Sequence, residues 1–153
     1  MSARVACAVL IGGLLLGTRV ASAQTNASCE LIEISATTTK DPSIDADLKV
    51  LAKKLQKAPF SSWNHFKVLS RAAKTLTQNK AEAAKLSHST ATLLLSGISA
   101  TTPPRVSLTV TVDDQDGKRV LDTKLNSDAG DWLVVGRSIP KTNDGELLAL
   151  TCK

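Results

Sequence analysis

Apolar and polar residues alternate with a period of two over residues 106–112. Val106, Leu108, Val110 and Val112 fall on one face, and Ser107, Thr109 and Thr111 on the other. That pattern, in residues that suit a pleated surface, predicts a strand. Asp116-Gly117 supplies the positive φ of a hairpin turn. Beyond it, Leu121, Thr123 and Leu125 alternate with Val120, Asp122 and Lys124, so residues 105–125 read as a hairpin. The same alternation recurs elsewhere. Residues 29–38 place Ile32, Ile34 and Ala36 on one face, and residues 90–99 form a strongly apolar run. In 131–139, Trp132 and Val134 oppose Leu133 and Val135; in 146–152, Leu148 and Leu150 oppose Leu147 and Ala149. Turn signals at 126–130 and 142–145 separate these strands.

One segment follows a helical period. Ile44, Leu48, Leu51 and Leu55 form a stripe, while Lys49, Lys53, Lys54 and Lys57 lie mostly off it. Residues 45–57 are therefore expected to be an amphipathic helix, with Ser43 as a candidate cap and Pro59 as its end. Lysines on such a helix either face water or dock on an anionic surface. Residues 60–86 satisfy both periods, with extended structure favoured over 63–69 and the remainder open. The chain thus reads as α+β, mainly β: an antiparallel β-sandwich or partly open barrel with one N-terminal amphipathic helix.

The first 23 residues read as a cleaved secretory signal. A short basic start is followed by the apolar run 5–17 and the small residues Ala21-Ser22-Ala23. A spanning helix needs about 20 apolar residues, so the run is short for a membrane anchor. Residues 24–153 then form a single β-rich domain. Removing Arg4 and Arg19 leaves 17 basic residues against 14 acidic ones, a small excess. The basic residues are dispersed and the chain has no Tyr, which argues against nucleic acid as a partner. Cleavage also removes Cys7 and leaves Cys29 and Cys152. In an exported protein these two read as a disulfide closing nearly the whole domain. Two free thiols or an intermolecular bridge are the alternatives.

The order of several segments carries a resemblance. After the signal and the Leu/Lys stretch comes Pro59-Phe60-Ser61-Ser62-Trp63-Asn64-His65-Phe66-Lys67-Val68-Leu69. The chain then carries Leu121-Asp122-Thr123-Lys124-Leu125, Trp132-Leu133-Val134-Val135-Gly136 and Gly145-Glu146-Leu147-Leu148-Ala149-Leu150. Together they resemble a group of small exported proteins of unknown function from myxobacteria and their relatives. The resemblance implies an envelope or extracellular location in a Gram-negative bacterium, and strand for residues 66–78. It brings no catalytic or binding residue. The last two segments also resemble the sheet ends of pilus and secretion-system domains, a likeness of fold alone.

Candidate chemistry is sparse. Aligning Gly117 with a calcium-loop glycine puts Val112 and Thr123 where ligands are required, so Asp113-Asp114-Gln115-Asp116-Gly117 reads as a solvated turn. His65 and His88 have no Cys or acidic residue at zinc-ligand spacing. No nucleophile-elbow, phosphate-loop or dinucleotide motif is present, and Ser61, Ser62, Ser87, Ser89 and Ser96 are scattered. No cofactor is expected. Trp63 and Trp132 read first as core anchors, one per sheet layer, and otherwise as the candidate partner-binding residues. The expected function is an exported, periplasmic or secreted, non-catalytic module that binds a protein or an envelope component. One alternative is a small hydrolase assembled from distant residues with His65 or His88 as base. Another is an accessory subunit of a secretion or pilus assembly.

Overall fold

The computed structural model describes residues 25–153. The signal read into residues 1–23 lies outside the described residues. The chain is mainly β, with two sheets, one of them curling into a half-barrel.

The five-stranded sheet has the order β2-β3-β1-β9-β8. Its strands are β1 (Asn26–Thr37), β2 (Ser43–Ile44), β3 (His65–Thr77), β8 (Trp132–Ser138) and β9 (Gly145–Cys152). The four-stranded sheet has the order β4-β5-β6-β7. It comprises β4 (Ala81–Lys85), β5 (Ser89–Ile98), β6 (Arg105–Asp114) and β7 (Arg119–Asp128). All pairings are antiparallel except β2 on β3.

The alternation read from sequence sets the core. Val106, Leu108, Val110 and Val112 of β6 are buried with Ala91, Leu93 and Leu95 of β5. They share one cluster with Leu31, Leu76, Leu148 and Leu150 of the other sheet. Each fully buried Leu or Val side chain removes enough apolar surface to contribute about 1.5–3 kcal/mol. The opposite face of the five-stranded sheet is also covered. Ile32, Ile34, Ala36, Phe66, Leu147 and Ala149 pack there against Leu48, Leu51 and Leu55. This explains the continuous apolar run of β9 and the buried Leu31-Ile32-Glu33-Ile34 centre of β1: both strands are covered on both faces there.

The helical segment differs from expectation. Residues 45–57 do not form one α-helix. A 3₁₀ helix spans Ala46–Leu51, and α1 is the single turn Ala52–Leu55. The stripe itself is confirmed, with Leu48, Leu51 and Leu55 fully buried. The spacing of three between Leu48 and Leu51 suits three residues per turn, which stacks both side chains over the sheet. Ser43 is not the cap but part of β2, paired with His65. Asp45 stands at the cap position without a side-chain cap bond; its carboxylate accepts the Val68 N–H at 3.3 Å.

From His65 the ambiguous stretch is two strands joined by a turn at 78–80. β3 runs to Thr77 and crosses into the other sheet as β4. The helical composition of 81–85 is overridden because Ala84 fills a fully buried position in the inter-sheet core. Cys29 and Cys152 are direct partners in the β1–β9 register and form a disulfide.

Candidate functional site

Glu33 lies in the middle of β1, on the face opposite Ile32 and Ile34, and is 4% exposed. A buried carboxylate must be satisfied by donors, or its desolvation is prohibitive. Four groups supply them. The Ser70 hydroxyl donates at 2.8 Å and the Ser89 hydroxyl at 2.6 Å. The Ser87 N–H donates at 2.9 Å, and the His88 N–H lies 3.2 Å from both oxygens. The β4–β5 turn is thereby tied to the neighbouring sheet. Where β1 meets β3 the register slips, Glu33 pairing with Ser70 and Ile34 with Val68, so Leu69 is the extra residue of a bulge. The Leu69 carbonyl accepts the Ser87 hydroxyl at 3.4 Å, a second tie on the same flank.

The opposite flank is open. β7 and β8 each end a sheet, do not pair with each other among the described residues, and are connected through the tight turn that holds Gly130 at φ 88°. Between them lies a cavity of about 30 Å3, lined by Val120 and Leu121 of β7 and by Val135 and Arg137 of β8, with Glu33 and Ser89 at its back. That is room for about one water molecule, not for a substrate. At the same end His88, Asp114, Asp116, Arg137 and Glu146 border a second hollow of about 260 Å3. Arg137 donates to Glu146 at 2.7 Å.

The hydrolase candidates are not assembled into a relay. Ser89 meets Glu33 directly with no imidazole between them, and Ser87 spends its hydroxyl on Leu69. His65 Nδ1 lies 2.7 Å from the Ser43 hydroxyl; among the described residues no carboxylate hydrogen-bonds to that ring. The acidic turn is used by the chain itself. Asp114 accepts the Asp116 and Lys118 N–H groups, and Asp113 takes the Arg119 guanidinium at 2.8 Å. Among the described residues no group of three His, Cys, Asp or Glu is arranged to hold a metal ion.

The two tryptophans sit differently. Trp63 donates its indole N–H to the Asn143 carbonyl at 2.7 Å, and its ring occupies the space a side chain at Gly145 would need. It clamps the β8–β9 connection. Trp132 is half-buried on β8, and with Val134 it packs on the helical side of the sheet. Beside them Lys54, Lys57, Ala58 and Phe60 complete a hollow of about 280 Å3.

The four sheet edges are unequal. β2 has two residues; β4 is short and carries Glu82 and Lys85; β7 carries Arg119, Asp122, Lys124 and Asp128. Shortness and charge are the usual protection of an edge. β8 has neither over Trp132-Leu133-Val134-Val135, four consecutive half-buried apolar residues. Among the described residues it pairs with β9 alone. The sequence named Trp132 but not this edge, nor Glu33. The signal for Glu33 was its place in β1: it shares a face with Cys29 and Leu31, which the disulfide would bury.

No family model, no curated protein and no solved structure matches the chain. Among the described residues no helix is long and apolar enough to cross a membrane.

Proposed function

We propose that the protein is an exported, non-catalytic binding module of the cell envelope or extracellular space that takes up an extended segment of a partner protein by adding it to β8. The observation that carries this reading is the unprotected apolar edge of β8, alone among the four edges in being protected neither by shortness nor, over Trp132–Val135, by charge. Strand addition uses such an edge: the backbone groups give affinity, and pockets on either side of the strand read alternate side chains. The hollow beside Trp132 lies on one of those sides, and on the other a gap beside Val135 that has room only for a small group. Trp132 then acts as a partner contact. Export is supported by the signal-like start and by a disulfide, which is maintained in oxidising compartments.

The test places a photo-reactive residue at Leu133 or, as a control, at Asp122 on the exposed face of β7, in the cell that makes the protein. A discrete adduct from position 133 and none from 122 is expected. No adduct, or equal adducts from both, contradicts the reading.

A further inference from the structure

Resting on strand addition at β8, the geometry points to one occupant: an extended protein segment, apolar at alternate positions and acidic at the end that lies beside Trp132. Successive residues of an added strand face opposite sides of the sheet. On the inner side they meet Val120, Leu121 and Val135, where the gap has room only for a small apolar group and the polar lining residues Glu33, Ser89, Arg137 and Glu146 are held by their own hydrogen bonds. On the outer side they meet Trp132 and Val134 with Lys54 and Lys57 at the rim. Both lysines are exposed, among the described residues neither pairs with a carboxylate, and they outnumber the one exposed acid beside Trp132, Asp131. The far end of β8 has the opposite character. Asp114, Asp116 and Glu146 gather there around Arg137, which Glu146 already neutralises. Trp132 and Arg137 are five residues apart, about 17 Å along a strand. That is roughly two screening lengths at physiological salt, so the two ends act separately on a ligand's charges. Acidic residues are favoured at the Trp132 end and disfavoured at the Arg137 end.

The experiment uses capped heptapeptides of alternating valine and threonine with two glutamates at one end. Each is made in both orders, because an added strand runs either way, and each has a lysine counterpart. Binding is followed by NMR on the β8 backbone amides of the whole protein. One glutamate peptide is expected to bind about tenfold more tightly than its lysine counterpart at low salt, with the gap closing at high salt. The double variant Lys54→Glu, Lys57→Glu is expected to reverse the preference; both positions are exposed and leave the core intact. If glutamate and lysine peptides move the β8 amides with equal affinity, strand addition stands and the acidic partner is overturned. If no peptide moves those amides, both readings fall.

Discussion

Ser89 of one sheet places its hydroxyl 2.6 Å from the carboxylate of Glu33 in the other. That contact makes Glu33 a bolt between the sheets on one flank, while the flank between β7 and β8 stays open. Burial without a partner would make a carboxylate ruinous; here four donors converge on it.

Glu33→Ala leaves those donors without their acceptor. Hydrogen bonds to charged groups are worth about 1.5–3 kcal/mol each and do not add simply, so a loss of about 3 kcal/mol is expected. Urea unfolding measures it. An unchanged midpoint would show that the carboxylate is not structural.

The Cys29–Cys152 bridge spans 123 residues of sequence. A loop of that size is expected to contribute about 4–5 kcal/mol by restricting the unfolded chain. Reduction, or the double variant Cys29→Ser, Cys152→Ser, should lower stability by up to that amount without changing the strand content seen by circular dichroism. A reduced protein as stable as the oxidised one would contradict this.

Gly145 is glycine because Trp63 lies against it. An added Cβ would stand 2.7 and 2.8 Å from two atoms of the indole. Gly145→Ala is expected to push the ring aside, at a cost of about 1–3 kcal/mol. Tryptophan fluorescence should move with it, which a variant at an open glycine such as Gly117 would not produce.

The Arg119 guanidinium holds the Asp113 carboxyl below its ordinary value of 3.8, first through their hydrogen bond and then through its charge. The folded value lies below the unfolded one. The contribution of this pair is therefore present above about pH 3.8 and is lost as pH falls through the lowered folded value. Carboxyl NMR should show Asp113 titrating below 3.8 and returning toward it in Arg119→Ala. Equal midpoints in the two proteins would refute the pairing.

Much of the fold was legible because its strands are amphipathic or strongly apolar. The β6 alternation predicted four buried side chains, and all four are buried. The place of Cys29 in the first strand and Cys152 in the last anticipated their register. The helical segment is not resolved by its pattern, because a stripe at spacings of three and four fits 3₁₀ and α geometry in succession as well as one continuous helix. Residues 81–85 are ambiguous in the sequence because alanine and lysine favour helix, whereas pairing with β5 decides their conformation. The open edge at β8 was not legible at all. Which strand lies last in a sheet is a property of topology, and residues 132–135 read the same in the centre of a sheet as at its rim.

Amide hydrogen exchange across Trp132–Ser138 tests the central claim most directly, measured on the protein alone and with the glutamate peptide bound. Strand addition predicts that several β8 amides exchange freely in the protein alone and slow at least tenfold on binding, while β1 and β9 remain protected throughout. Binding that leaves β8 exchange unchanged, or that protects β4 or β7 instead, would contradict it.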